Sequence, residues 1–334
     1  MKKSLLLLSI LLPFLFGGAV MAAEPRQGDL GSNKEELATA LEKAVLTGRR
    51  AAKLRLDSRA LDKEELATAL EKTRLLAEQG DAEAQFNLGA MYRDGLEIPQ
   101  DYKAALKWFR LAAEQGHANG QVSLGAMYSL GKGTPHDYKT AHRWVTLSLN
   151  QGNALAQYNL GVLYLNGWGV SQDYQVAKKW YSLAAIQGHL DAQATLGVML
   201  QNGWGVSQDY EMALKWFSLS AVQGNAAALH NMGVAFRDGL GVQQDLKGAL
   251  TWFTLAAKKG LPSAQYSLGL MYGNGTGVSQ DYIRSYIWLN IAAQNNFDPA
   301  PAVRDEVARR MSAADIAQAQ RLAQECVANN YQGC

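Results

Sequence analysis

The sequence predicts an all-α fold, an α/α solenoid in which six helical hairpins of 36 residues stack between helical caps. A fixed period of this length is typical of repeat proteins, and three residue types recur with it. The three series are Trp108, Trp144, Trp180, Trp216, Trp252 and Trp288; Gly89, Gly125, Gly161, Gly197, Gly233 and Gly269; and Asp101, Asp137, Asp173, Asp209, Asp245 and Asp281. They divide the central region into repeats at 82–117, 118–153, 154–189, 190–225, 226–261 and 262–297.

Each repeat is predicted to form two helices, and the third repeat shows the reasons. In its first half, ALAQYNLGVLYLNG, Leu160 and Leu163 recur at helical spacing and give one apolar face. Gly167 then breaks the chain. Asp173 is placed to cap the second helix, DYQVAKKWYSLAAIQ, because its carboxylate can accept hydrogen bonds from the free amides of the first turn. Gly188 is expected to end that helix.

One glycine of the period, Gly161 in the third repeat, falls inside the predicted first helix. A glycine at such a position destabilises a helix by about 1 kcal/mol relative to alanine. Because all six repeats keep a glycine there, we expect the backbone to approach the second helix of the hairpin closely.

The repeats resemble a known family. The segment AEAQFNLGAMYRDGLEIPQDYKAALKWFRLAAEQGH, at 82–117, looks like a Sel1-like repeat, a relative of the tetratricopeptide repeat. The resemblance covers 216 of the 334 residues. It implies an α/α superhelix in which the first helix of each repeat lines the concave side. It also implies a role as an interaction scaffold, often in bacterial envelopes or in host contact.

The N-terminus is typical of a secretory signal peptide over residues 1–23. Lys2 and Lys3 precede an apolar run at 5–16, and small residues follow. We therefore expect an exported chain that is periplasmic or secreted. The whole chain has 32 Lys and Arg against 30 Asp and Glu, and removal of the two signal-peptide lysines leaves 30 of each.

This balance predicts no general attraction to nucleic acid or to an anionic membrane. No later apolar run is long enough for stable membrane insertion. The segment GRRAAKLRLDSR at 48–59 is a local exception. It is interpreted either as a contact to an anionic surface or as a solvated helix face balanced by neighbouring glutamates.

Residues 24–81 are predicted to form an N-terminal helical region that ends in a capping half-repeat. The ten residues KEELATALEK occur at 34–43 and again at 63–72. Each copy starts with a capping box, and the second copy leads into the sequence that ends a repeat's second helix. We expect 62–79 to cap the array, because terminal repeats need a polar outer face.

Residues 298–334 are predicted to form the C-terminal helical cap, with helices at 302–311 and 313–328. Cys326 and Cys334 are the two cysteines of the chain. In an oxidising compartment this pair can close into a disulfide that pins the tail. A redox-active pair is the alternative, although the spacing is not that of a Cys-x-x-Cys motif.

No catalytic, cofactor-binding or metal-binding residues are predicted. The histidines lack the spacing of a metal site, and His117 and His189 are expected to be exposed turn residues. Ser129 and Lys132 match the Ser-x-x-Lys motif of β-lactamase-like penicillin-binding hydrolases, to which some Sel1 proteins are assigned, but the partner motifs are absent. The sequence therefore predicts that the protein is not an enzyme, with such a hydrolase as an alternative.

Partner-binding residues are expected at first-helix positions that the apolar face does not use. The fifth, sixth and twelfth positions share one face, which the resemblance makes concave; we call it the first-helix stripe. Its candidate residues are Phe86, Asn87, Arg93, Tyr158, Asn159, His230, Asn231, Arg237 and Tyr266. Amide, aromatic and arginine side chains suit a polypeptide. The alternative is that the aromatic residues at the fifth position only pack on the adjacent repeat.

The loop NGWGVSQDY occurs at 166–174 and at 202–210. A turn between helices explains its glycines and its aspartate, but not Trp168 and Trp204, since other repeats place other residues there. We expect these indoles to form a neighbouring aromatic pair on one edge of the array, which we call the loop edge. They either pack between loops or form an exposed surface for a partner.

These observations predict a non-enzymatic protein–protein interaction scaffold of the bacterial envelope or the secreted space. Its partner is expected to be a protein or peptide bound along the concave face, and no cofactor is expected. A cell-wall or glycan-binding module, which would also use aromatic side chains, is the alternative of a different class.

Overall fold

The computed structural model describes residues 63–95, 98–331 and 334, and within these residues the regular structure is entirely α-helical. The helices are α1 (Lys63–Glu78), α2 (Ala82–Asp94), α3 (Tyr102–Glu114), α4 (Ala118–Leu130), α5 (Tyr138–Leu149), α6 (Ala154–Asn166), α7 (Tyr174–Ile186), α8 (Leu190–Asn202), α9 (Tyr210–Val222), α10 (Ala226–Asp238), α11 (Leu246–Lys258), α12 (Pro262–Asn274), α13 (Tyr282–Gln294), α14 (Ala300–Ala308) and α15 (Ala313–Ala328). The fold is the predicted solenoid of six two-helix repeats. The predictions for the signal peptide, for 24–62 and for the basic segment 48–59 lie outside the described residues.

The predicted helix boundaries are set by caps that recur in every repeat. The Asp173 carboxylate accepts hydrogen bonds from the Gln175 and Val176 amides at 2.9 and 3.0 Å. The equivalent aspartates cap the other second helices in the same way. Each first helix ends at a glycine in the left-handed region, such as Gly167 with φ of 69°. This confirms the predicted roles of the aspartate and glycine positions.

The two helices of a hairpin approach each other at the glycine inside the first helix. A Cβ atom at Gly161 would lie 2.7 Å from the ring of Tyr181 on α7. Phe253 on α11 fills the same space beside Gly233. The predicted close approach is therefore confirmed, and the contacting group in these repeats is an aromatic ring.

The described residues divide into two compact units, an N-terminal unit that runs to 199 and includes 203–207, and a C-terminal unit of 200–202 and the residues from 208 onward. In the N-terminal unit Phe109, Leu124 and Met127 form one of the buried clusters. In the C-terminal unit Phe253 and Leu268 are fully buried. Each unit thus has its own apolar interior.

The C-terminal cap covers the second helix of the last repeat. Helices α14 and α15 pack on α13, where Ile291 is fully buried. Helix α14 begins at Ala300, before the predicted 302, because the first turn of a helix needs no N–H donors and so accepts Pro301. It ends at Ala308, before the predicted 311. Cys326 and Cys334 are joined in a disulfide with a Cα–Cα distance of 5.4 Å. None of the helices in the described ranges combines the length and apolar character of a membrane span.

Candidate functional site

The first-helix stripe is buried in repeat 3. Tyr158 is fully buried, and its ring stacks on His189 with centroids 4.6 Å apart and an interplanar angle of 16°. Asn159 is only 5% exposed, and Leu165, at the twelfth position, is 1% exposed. The structure therefore removes Tyr158 and Asn159 from any accessible groove. The alternative that these side chains pack in the array describes them better.

Two tyrosines share the interior of repeat 3. The rings of Tyr158 and Tyr181 lie 5.6 Å apart, Thr195 interacts with the Tyr158 hydroxyl, and no group among the described residues forms a hydrogen bond with the Tyr181 hydroxyl. Burial raises the pKa of both phenols. Both hydroxyls are therefore neutral at any physiological pH, and that of Tyr181 carries the desolvation penalty of an unpaired polar atom.

Repeat 1 leaves its part of the stripe accessible. Asn87 is exposed, and Phe86 is half-buried against the His117 ring at a centroid distance of 4.9 Å. The Arg93 guanidinium donates two hydrogen bonds, of 2.6 and 2.7 Å, to the carboxylate of Asp94. Arg93 also lies over the buried ring of Phe109, 5.8 Å from its centroid, and its side chain is 15% exposed.

Repeat 5 holds a similar arginine in a more open position. Arg237 donates two hydrogen bonds of 2.7 Å to Asp238, and its guanidinium lies 6.0 Å from the centre of the Phe253 ring. The Asp238 carboxylate raises the pKa of Arg237, and Arg237 lowers the pKa of Asp238. The Arg237 side chain is 38% exposed, so its orientation is held while it can still contact a partner.

The neighbours of Arg237 form one connected polar cluster. His230 lies 5.3 Å from the Phe253 ring, and its Nε2 is 3.3 Å from the hydroxyl of Ser267 in repeat 6. Burial, and secondarily Arg237, lowers the pKa of His230 to about 4, so the imidazole is neutral at pH 7. We call His230, Asn231 and Arg237, together with the buried Phe253 and Ser267 on which they rest, the arginine–aromatic patch.

Tyr266, the last predicted residue of the stripe, is half-buried. Its ring contacts Phe297 at a centroid distance of 5.2 Å. The described structure thus leaves the stripe accessible in repeats 1, 5 and 6 and closes it in repeat 3.

The loop edge differs from its prediction. Trp168 stacks on Tyr138 at 5.1 Å and 19°, and Trp204 stacks on Tyr174 at 6.2 Å and 18°. Each indole therefore covers a tyrosine of the preceding repeat, and the two do not form a pair with each other. Lys132, at the same position of repeat 2, lies 4.8 Å from the centre of the Tyr102 ring. The position is used for packing between repeats, and both indoles are half-buried.

His117 and His189 are helix caps, which corrects their interpretation as exposed turn residues. The Nδ1 atom of His117 accepts a hydrogen bond from the Gly120 amide at 3.0 Å, and that of His189 accepts from the Ala192 amide at 3.3 Å. Burial lowers the pKa of His189 to about 4. Asparagine performs the same capping function in repeats 2 and 4. A side-chain acceptor is what this position requires.

The sequence interpretation missed a row of buried glutamines that join first helices to the second helix of the preceding repeat, or of the cap, by hydrogen bonds to its carbonyls. Gln85 donates from Nε2 to the Ala77 carbonyl at 3.1 Å, and its Oε1 accepts from Gln115 at 2.8 Å. Gln157 accepts from Gln187 in the same way. The available signal was a glutamine at the fourth position in five of the six repeats.

The described structure does not place the two residues of the Ser-x-x-Lys motif in the arrangement that a serine hydrolase needs. Ser129 is 7% exposed, and the Lys132 ammonium lies over Tyr102. Within the described ranges no group of three or more His, Cys, Asp or Glu side chains is placed to hold a metal ion.

Comparison with known proteins identifies related sequences and structures. A family model described as Sel1 repeat matches 82–117, 118–153, 154–189, 190–225, 226–261 and 262–297. A Sel1 repeat protein from Oxalobacter formigenes is 30% identical, with a TM-score of 0.61, over 68% of this chain and 99% of that one. A protective antigen of uropathogenic Escherichia coli that displays an SLR fold is 28% identical, with a TM-score of 0.48, over 79% of this chain and 65% of that one. A search of curated proteins finds no match.

Proposed function

The chain belongs to the Sel1-repeat family, and we propose that it is a non-enzymatic scaffold that binds a polypeptide segment at the arginine–aromatic patch. Arg237 carries this proposal. Its fork with Asp238 and its position over Phe253 hold the guanidinium in one orientation, while the side chain stays 38% exposed. Arginine is enriched among residues that dominate binding energy, and a side chain held in place loses less entropy on binding.

The chemistry of the patch suits a polypeptide that presents oxygen acceptors. Two hydrogen bonds to Asp238 leave N–H groups of Arg237 for carbonyl or carboxylate oxygens. Asn231 beside it is half-buried and offers an amide that can pair with an extended backbone. The neutral His230 adds no charge that would oppose Arg237 at pH 7. Because Asp238 neutralises much of the Arg237 charge, we expect the bound segment to contribute oxygen acceptors, mainly backbone carbonyls, and not a net negative charge.

The glycan-binding alternative is less well supported. Sugar recognition by stacking needs an exposed aromatic face, whereas Tyr158 is buried and Phe86, Trp168, Trp204 and Tyr266 are at most half-exposed. The hydrolase alternative would need Lys132 close to Ser129, and that ammonium lies over Tyr102.

We also propose that the scaffold acts in the envelope or outside the cell. The signal-peptide pattern of residues 1–23 supports export, and the disulfide between Cys326 and Cys334 is of a kind that persists in oxidising compartments. Fractionation of cells that carry a C-terminally tagged chain, with sequencing of its N-terminus, tests this. An intact N-terminus in the cytoplasm would contradict export.

The binding proposal is tested by crosslinking the tagged protein in its native cells, identifying the partner and measuring affinity. We expect Arg237→Gln to weaken binding by about 2 kcal/mol or more, as for a dominant interface arginine. Arg284→Gln is the matched control, because Arg284 also pairs with an aspartate, Asp281, and lies over an aromatic ring, but on a second helix. Unchanged affinity of folded Arg237→Gln would show that the patch is not the binding site.

A further inference from the structure

The second helices of repeats 1 to 3 carry an outer face that the proposed function does not use. Their inward positions are buried, as Phe109, Val145 and Tyr181 illustrate. The opposite positions are exposed and carry cations, namely Lys103, Lys107, Lys139, Arg143 and Lys179. Aliphatic side chains stand among them, with Leu147 48%, Leu183 39% and Ile186 67% exposed. We call these eight residues the cationic outer face.

The three helices are the second helices of successive repeats in the N-terminal unit, and α3 and α5 each pack on the first helix that follows. At their C-terminal ends, Gln151 after α5 donates a hydrogen bond of 2.8 Å to the Gly116 carbonyl after α3. At their N-terminal ends, Trp168, just before α7, stacks on Tyr138, the first residue of α5. The eight residues therefore lie at equivalent exposed positions of three successive repeats whose helix ends are in contact.

The charge of this surface is only partly offset by neighbouring carboxylates. Helices α3, α5 and α7 contain seven Lys and Arg but a single acidic residue, Glu114. Among the described residues none of the five cations forms an ion pair, whereas Arg93, Arg237 and Arg304 each pair with an adjacent aspartate. The three capping aspartates accept hydrogen bonds from the helix amides and offset part of the charge, as Asp137 does beside Lys139. The balanced charge of the whole chain thus conceals a local excess of positive charge.

We propose that the cationic outer face docks on the surface of an anionic phospholipid membrane. Unpaired cations with aliphatic side chains between them are the combination that binds such interfaces, where lysine and arginine meet head groups and apolar groups enter the boundary layer. A protein partner fits less well. Strong protein interfaces centre on aromatic or arginine side chains in a pocket, whereas this face spreads its residues across three helices. Its residues belong to the N-terminal unit, whereas those of the arginine–aromatic patch belong to the C-terminal unit.

Vesicle binding by the purified full chain tests the proposal. Vesicles of phosphatidylglycerol mixed with phosphatidylcholine are compared with phosphatidylcholine alone in a sedimentation assay, at low and at physiological salt. Each cation near an anionic surface contributes about fivefold to affinity. The variant Lys107→Glu/Arg143→Glu/Lys179→Glu should therefore bind at least about a hundredfold more weakly than the unchanged chain. Binding by the unchanged chain should also weaken as salt screens the charges.

The control variant reverses the same number of exposed charges on the C-terminal unit, at Lys247, Arg309 and Arg321. It should retain binding, and both variants should keep the helical circular dichroism and melting temperature of the unchanged chain. A second variant, Leu147→Ser/Leu183→Ser/Ile186→Ser, should weaken binding while leaving its dependence on salt in place.

Three results would overturn the proposal. One is no binding to anionic vesicles even at low salt. Another is equal binding to neutral vesicles that charge reversal does not change, which would assign binding to the apolar N-terminal run. The third is equal loss in the two charge-reversal variants, which would show a response to net charge and not to this face.

Discussion

The free energy of unfolding should fall as the pH decreases from about 6.5 to about 4, and buried histidines should cause much of the fall. Burial lowers the pKa of His189 and of His230 from 6.5 to about 4. In the unfolded chain both imidazoles have the ordinary value, so in this pH range the unfolded state binds more protons than the folded state. Their contribution to stability is complete above about pH 6.5 and is lost as the pH falls towards 4. Burial lowers the pKa of His142 as well, so His142 acts in the same direction.

The magnitude follows from the two values. One pKa unit corresponds to about 1.4 kcal/mol, so a pKa near 4 in place of 6.5 makes each histidine responsible for about 3 kcal/mol. Protonation of His189 has a structural consequence too. Its Nδ1 could no longer accept the hydrogen bond from the Ala192 amide that caps α8.

The substitution His189→Asn removes the titrating imidazole but keeps a side-chain acceptor that can cap α8. Asn153 and Asn225 hold the equivalent position in repeats 2 and 4, and their Oδ1 atoms accept from the capped amides at 3.0 and 2.9 Å. The variant keeps the cap but loses the ring that stacks on Tyr158, so its stability near pH 7 should fall by about 1 kcal/mol or more. Its loss of stability on acidification should be smaller than that of the unchanged chain by about 3 kcal/mol. His230→Phe gives the parallel test, because Phe86 occupies that position in repeat 1.

Urea unfolding followed by circular dichroism, at several pH values between about 7 and 4.5, measures both quantities. Hydrogen exchange of the repeat 4 amides shows whether the change is local, since repeat arrays need not unfold in one step. The reasoning is refuted if His189→Asn has the pH dependence of the unchanged chain, or if stability rises on acidification over this range.

Three further predictions concern packing and caps. Tyr181→Phe should raise the free energy of unfolding by about 1–3 kcal/mol in a urea titration, because it removes a fully buried, unpaired hydroxyl; a loss of stability would mean that the hydroxyl is bonded. Asp173→Ala should lower stability by about 1 kcal/mol through loss of the cap of α7, whereas the exposed Gln175→Ala should change it little. Gly169→Ala should lower the melting temperature more than Gly188→Ala, although both glycines have positive φ. A Cβ at Gly169 would lie 2.6 Å from the Tyr138 carbonyl carbon, whereas one at Gly188 would meet open space. Equal effects would contradict this reasoning.

The architecture could be predicted from sequence because its determinants are local and recur. The 36-residue period defines the repeats, Asp173 and its equivalents begin the second helices, and Gly167 and its equivalents end the first. A capping hydrogen bond or a left-handed glycine depends on a few neighbouring residues. Six repeats with similar residues at these positions are therefore each predicted to form the same turn. The helix bounds follow from these residues without knowledge of how the repeats stack.

The accessibility of the candidate site depends on how the repeats stack on one another. It could not be predicted from the sequence pattern. Tyr158 and Arg237 both lie on the first-helix stripe, yet Tyr158 is buried against His189 and Arg237 is 38% exposed over Phe253. Trp168 is directed to Tyr138 of the repeat before it.

The sequence by itself determined the repeat unit, its caps and the balance of charge over the chain. The tertiary structure decided which stripe residues are open and gathered unpaired cations on the second helices of repeats 1 to 3. The physical reason is that burial and local electric field are sums over neighbours that are distant in sequence. Periodicity fixes the face of a helix on which a residue lies, whereas only the packed array fixes what covers that face.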